Sequence, residues 1–172
     1  MFERIRRNSR RVAGAAAIAT MAAVGIAWPA HADTPTIYRI TTLATLALDV
    51  SGGSHHVLAP VIQWPINGGR NQEWTLENRA GGLWIRNVES DQCLTVLDRT
   101  AGSGLVQYPC MDERNEEWNL TPVNSGTAAV FTSVDSGMAV DVPRGTGNWG
   151  TQLIQWPVNG FPNQNLWLQP IA

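Results

Sequence analysis

From residue 37 onward the chain alternates short runs of aliphatic and aromatic residues with clusters of Gly, Asn, Asp, Ser and Pro. The apolar runs are rich in Val, Ile, Leu, Thr and Trp, and they read as β-strands cut by turns. Ser51-Gly52-Gly53-Ser54, Asn67-Gly68-Gly69 and Gly145-Thr146-Gly147-Asn148 are the clearest turn clusters. No window of about 11 residues combines a helical period with caps. The pattern predicts an all-β chain.

The runs repeat. Val61-Ile62-Gln63-Trp64-Pro65, leading to Asn71-Gln72-Glu73-Trp74, is matched by Leu105-Val106-Gln107-Tyr108-Pro109, leading to Asn115-Glu116-Glu117-Trp118. A third copy is Leu153-Ile154-Gln155-Trp156-Pro157, leading to Asn163-Gln164-Asn165-Leu166-Trp167, with one extra residue before its last Trp. Upstream of each lies a second matching stretch: Ala47-Leu48-Asp49-Val50, Cys93-Leu94-Thr95-Val96 and Ala139-Val140-Asp141-Val142. Its third positions, 49, 95 and 141, are spaced 46 and 46. The domain is therefore a triplicated unit, with copies over about 37–78, 79–121 and 122–170. Units this small cannot each bury a core, so they have to pack about a shared axis. The closing Trp74, Trp118 and Trp167 are expected to fill that core, with Trp84 beside them at a strand position matched by Tyr38.

The first 32 residues follow other rules. Arg4, Arg6, Arg7, Arg10 and Arg11 make a basic start, Val12–Ala27 is uncharged and apolar, and Ala30-His31-Ala32 is a small-x-small triplet. That order predicts a signal peptide cleaved between Ala32 and Asp33, hence a secreted domain over 33–172. The competing transmembrane reading asks for about 20 strongly apolar residues, and this run is shorter and built from Ala and Gly. Ser9-Arg10-Arg11 leaves the general secretory and twin-arginine routes both open. Beyond residue 32, 7 Arg face 13 Asp and Glu, a net charge of −6. Such a surface repels phosphate backbones and heparin-like polyanions, so no nucleic-acid partner is expected. The domain has two cysteines, Cys93 and Cys110, and an even count in an exported protein argues for a disulfide. A catalytic thiol has no Cys-His pattern to support it. His55 and His56 lack further ligands at metal-binding spacing, so neither a metal nor another cofactor is expected.

The threefold Asn-Gln-x-Trp theme, with its upstream Leu-Asp-Val and intervening Gln-Trp-Pro, resembles the ricin-type β-trefoil lectins, the Gln-x-Trp carbohydrate-binding modules, over about residues 37 to 170. The resemblance implies a twelve-stranded β-trefoil with pseudo-threefold symmetry and four strands per unit. It implies a Cys93–Cys110 disulfide bracing the middle unit, while Ala47 with Ile66, and Ala139 with Val158, close the other two by packing. It also implies a sugar pocket in each intact unit.

A pyranose presents an apolar C–H face and a rim of hydroxyls, so its site needs an aromatic platform and a carboxylate or amide at the rim. Carried over position by position, unit one offers Asp49, Trp64, Asn71 and Gln72, and unit three offers Asp141, Trp156, Asn163 and Gln164. Asn67 and Asn159, three residues past each Trp, stand ready to complete the hydrogen bonding. Unit two has Thr95, Tyr108 and Glu116 at the corresponding places, and its pocket is expected to be inactive. Asp49 and Asp141 are also suited to capping turns into the Gly-rich loops that follow, and the Trp pair to plain packing. Trp149, in a Gly-rich loop, is expected to extend the surface of unit three.

These residues point to a secreted, non-catalytic carbohydrate-binding protein. A glycosidase would need two carboxylates flanking one bond, and the acidic pairs Asp112-Glu113 and Glu116-Glu117 lie in the degenerate unit. The alternative is a trefoil that acts by protein–protein contact, as an inhibitor or partner protein, with vestigial sugar pockets.

Overall fold

Side chains alternate across a strand, and the Ala-Leu-Asp-Val stretch uses that alternation to serve two masters. Leu48 and Val50 join the buried apolar cluster, which turns Asp49 between them to the opposite face. The computed structural model describes residues 36–171. The signal peptide expected over residues 1–32 lies outside the described residues.

Unit one contributes β1 (Ile37–Thr41), β2 (Ala47–Val50), β3 (Val61–Trp64) and β4 (Glu73–Asn78). Unit two contributes β5 (Leu83–Asn87), β6 (Cys93–Thr95), β7 (Val106–Tyr108) and β8 (Glu117–Val123), the last running slightly past the boundary expected near 121. Unit three contributes β9 (Ala128–Ser133), β10 (Ala139–Asp141), β11 (Thr151–Gln152), β12 (Ile154–Trp156) and β13 (Trp167–Ile171). The two-residue β11 raises the total to 13 strands where twelve were expected. Among the described residues there is no α-helix, only short 3-10 turns.

The first and last strands of each unit close a ring. β1 pairs β4, β4 pairs β5, β5 pairs β8 and β8 pairs β9. Ala129 bridges to Leu166, and β13 returns to β1. The inner strands form three hairpins, β2–β3, β6–β7 and β10–β12, stitched to one another at Pro60–Val106, Gly104–Ile154 and the β11–β3 pair. This is a β-trefoil with pseudo-threefold symmetry. The core is built from equivalent triplets, such as Leu48, Leu94 and Val140, or Val61, Leu105 and Leu153, all fully buried.

One expected triplet is wrong. Trp74 and Trp118 are fully buried and donate their indole N–H to the carbonyls of Leu48 and Leu94. In unit three the buried residue is Leu166, two after Gln164 as Trp74 is two after Gln72. Trp167 falls one residue later, is only half-buried, and begins β13 opposite Thr41. The extra residue therefore follows the buried position instead of preceding it. Trp84 and Tyr38 are buried as expected. The Cys93–Cys110 disulfide is present, with a Cα–Cα distance of 5.2 Å, and a loop of this size contributes about 3 kcal/mol in the chain-entropy account. Ile66 and Val158 do not replace it by packing, because both are exposed. Only the small Ala47 and Ala139 are buried at the matching strand positions.

Polar closure matches the apolar closure. Gln63, Gln107 and Gln155 are fully buried and fall on the face opposite Trp64, Tyr108 or Trp156 of their own strands. Gln63 donates to the carbonyls of Thr146 and Asn148, 2.8 and 2.9 Å away in unit three. Gln107 donates likewise to Ser54 and His56 of unit one, and Gln155 to Asp98 and Thr100 of unit two. Their carbonyl oxygens accept from the hydroxyls of Thr42, Ser90 and Ser136. Each unit thus holds a loop of its neighbour. Removing a buried partner leaves its groups unsatisfied, at about 1–3 kcal/mol each. Gln63→Leu is accordingly expected to lower stability by about 3 kcal/mol, read as a fall in the urea midpoint with an unchanged slope.

Candidate functional site

The β2–β3 register sets Asp49 opposite Ile62 and Trp64 opposite Ala47. The two-residue period then brings Asp49, Ile62 and Trp64 to one face, where they line a cleft of about 470 Å³ with Asn67, Asn71 and the Ser51–Gly53 turn. Trp64 is 39% exposed, a platform open to solvent. Asp49 is buried at the floor. Behind it, Gln72 donates to Asp49 Oδ2 at 2.8 Å and to the Pro65 carbonyl at 2.9 Å, and accepts the Asn67 N–H at 3.0 Å. Gln72 is fully buried and consumed by these bonds, so it orients the carboxylate and does not face the cleft. Asn71 donates to the Val50 carbonyl at 3.0 Å. The side-chain oxygen of Asn67 accepts from the Gly69 N–H at 2.8 Å.

Unit three reproduces the arrangement bond for bond. Asp141 lies opposite Ile154 and Trp156 opposite Ala139. Gln164 donates to Asp141 Oδ2 at 2.9 Å and to the Pro157 carbonyl at 3.0 Å, and accepts the Asn159 N–H at 3.0 Å. Asn163 donates to the Val142 carbonyl at 3.1 Å. These bonds identify Gln164, not Asn165, as the counterpart of Gln72. Trp156 is 43% exposed, and the cleft is larger, about 660 Å³. In neither unit does the Asp cap a turn. The partners of its carboxylate are the side chains of Gln72 and Asn71, or of Gln164 and Asn163.

Burial pushes the Asp49 and Asp141 carboxyls above the ordinary value of 3.8, against the opposing pull of their Gln and Asn hydrogen bonds. Each is a charge held at a net cost to the fold, as binding groups often are.

Unit two has exchanged both members of the pair. Thr95 turns its hydroxyl back to the Cys93 carbonyl at 3.0 Å. Buried Glu116 stands where the glutamines stand and accepts the Met111 and Glu113 N–H groups. With no carboxylate to receive an amide donor, a second carboxylate fits in the amide's place. The cleft here, about 390 Å³, is lined by Leu58, Leu97, Tyr108 and Met111 with Glu113, Asn115 and Glu116, and not by Thr95.

Three features were not read from the sequence as they stand. Trp149 extends unit one, not unit three, packing edge-on against Trp64 with ring centroids 6.1 Å apart at 61°. Phe161, 64% exposed, and Arg144 line the cleft of unit three. Phe161 lies three residues before Gln164, as Gly69 lies three before Gln72, so counting back from the glutamine would have singled it out.

The sequence model of the ricin-type beta-trefoil lectin domain matches residues 36–167. No curated protein matches the chain. Among solved structures, the designed threefold symmetric protein ThreeFoil is similar at 27% identity and a TM-score of 0.75, with 78% of this chain and 99% of that one covered. The exo-β-1,3-galactanase 1,3Gal43A from Clostridium thermocellum is similar at 28% identity and a TM-score of 0.77, over 82% of this chain but 31% of that enzyme. The Macrolepiota procera ricin B-like lectin, solved in complex with lactose, shares the fold at 20% identity and a TM-score of 0.69, with 81% and 99% covered.

The raised carboxyls make a signed prediction. Such a group favours the fold most below its unfolded value of 3.8, and that contribution is lost as pH rises through the raised folded value. Asp49→Asn and Asp141→Asn should therefore leave the Tm at pH 7 unchanged or higher. Gln72→Ala, which strands a buried carboxylate and the Asn67 N–H, should cost about 2 kcal/mol. Thermal unfolding of the three variants side by side checks both.

Proposed function

Because the chain belongs to the ricin-type beta-trefoil lectin family, we propose that it is a secreted, non-catalytic carbohydrate-binding protein with sugar sites in units one and three. The observation that carries this reading is the twofold occurrence of one constellation: a buried Asp held by a Gln, an exposed Trp two strand positions along, and two Asn at the rim. The Trp offers its face to the C–H side of a pyranose. The Asp accepts from adjacent hydroxyls, and Asn71 or Asn163 adds an amide. Gln72 and Gln164 act through the Asp as positioning residues.

Each cleft brings one carboxylate to its ligand, where hydrolysis of a glycosidic bond needs a pair. That supports binding without catalysis. The basic and apolar order of residues 1–32, together with the disulfide, supports export. Open single-ring sites reach about −4 kcal/mol, or millimolar affinity, and two on one rigid body gain by avidity on a polymer. Lactose and GalNAc, present in complexes of proteins with the same fold, are natural members of a test panel.

The test is a glycan-array and insoluble-polysaccharide screen of the protein beside the Asp49→Ala/Asp141→Ala double variant. Losing a charged acceptor costs about 1.5–3 kcal/mol per site, so binding should fall more than tenfold in a variant that stays folded by circular dichroism. Each single variant should retain one working site. Binding that survives in the double variant would sink the residue assignment. No binding by the wild type to any glycan would move the reading to protein–protein contact.

A further inference from the structure

The two intact units differ at two rim positions. Three residues after its Asp, unit one has Gly52 where unit three has Arg144, and three before its Gln it has Gly69 where unit three has Phe161. Gly52 and Arg144 share the left-handed conformation, with φ of 66° and 57°. Glycine takes that backbone freely and arginine does not. Arg144 is exposed and has no carboxylate partner among the described residues, so no ion pair explains the strain. Arg144 instead stands on the wall of the cleft that Trp156 and Asp141 line. Phe161 is a large exposed ring beside the same cleft as Trp156. In unit one a Cβ at Gly69 would sit 2.5 Å from Asn71 Oδ1 and 3.0 Å from Asn67 Oδ1, so these two side chains would have to shift to admit such a ring.

We propose that unit three binds two adjoining rings of a saccharide chain, whereas unit one binds a single ring. The inference rests on the carbohydrate reading above. Trp156, Asp141 and Asn163 hold the first ring. Phe161 stacks on the apolar face of the second, and Arg144 donates its guanidinium N–H groups to the oxygens at that ring's edge. The larger cleft, about 660 against 470 Å³, is the room this requires. The three units have thereby diverged into a single-ring site, a two-ring site and a cleft without the aspartate.

Calorimetric titration with galacto-, gluco-, xylo- and chito-oligosaccharides of one to three rings separates the two sites. Asp49→Ala leaves unit three to report, and Asp141→Ala leaves unit one. With Asp49→Ala, affinity should rise about tenfold from one ring to two, the scale of one added stacked ring. With Asp141→Ala it should stay flat. Added to Asp49→Ala, Phe161→Gly or Arg144→Gly should remove most of the gain on going from one ring to two. Arg144→Gly should also leave the Tm unchanged or raise it, since glycine suits the backbone there, so its loss of affinity is not unfolding. A flat series with Asp49→Ala, or a gain that survives both rim variants, would overturn the proposal. If the wild type binds none of these sugars, or the Asp49→Ala/Asp141→Ala variant binds them as well as the wild type does, the carbohydrate reading or its residues fail instead.

Discussion

No unit of this chain can hide its own apolar face, and the structure follows from the cyclic closure that this forces. The ring of strands buries Trp74, Trp118 and Leu166 together, and the three glutamines apply the same logic to polar groups. A buried amide costs free energy unless all its hydrogen-bonding groups are used. Gln63, Gln107 and Gln155 find acceptors for their amide N–H groups in a neighbouring unit. The loops they grip, around residues 54–56, 98–100 and 146–148, continue from the turns that wall the clefts. The shape of each cleft is therefore partly decided by the unit next door.

Within that frame, two substitutions in unit two make sense only as a pair. An Asp with a Gln behind it satisfies one acceptor and one donor. Replacing the Asp by Thr alone would leave the amide donor without its partner. Replacing the Gln by Glu alone would set two buried carboxylates against each other. Thr95 with Glu116 avoids both outcomes, because the carboxylate still accepts the Met111 N–H as Gln72 accepts that of Asn67. The disulfide then braces a unit that has given up its binding carboxylate but not its place in the ring.

Much of this was legible in the sequence because threefold repetition acts as an internal alignment. The strands and the three units could be read by comparing one copy with another. The disulfide followed from the even cysteine count, and the trefoil and the placement of Asp49, Asp141, Trp64 and Trp156 followed from the family resemblance. What repetition could not show was which neighbour a residue leans on. Trp149 lies within unit three in sequence and against Trp64 of unit one in space, since loops cross between units. Gln72 and Gln164 are contact residues by the family resemblance, yet each is consumed by buried bonds. Trp167 drew the eye by its chemistry, and Leu166 holds the core position because spacing from Gln164, not residue type, sets which side chain faces inward. Phe161 and Arg144 break the repeat, so a search for matches passed over them.

The pairing of β1 with β13, from Ile37 opposite Ile171 to Thr41 opposite Trp167, has a consequence in time. A chain made from its N-terminus presents Ile37–Thr41 early, and one edge of that strand stays unpaired until Trp167–Ile171 arrives. Nearly the whole domain has to emerge before the ring shuts, and pairings so distant along the chain form slowly. Throughout that interval the molecule is an open, apolar-faced sheet with a free edge, which is the state that sticks to other chains. Completion of the last strand is thus the step at which this protein passes from an adhesive intermediate to a sealed one.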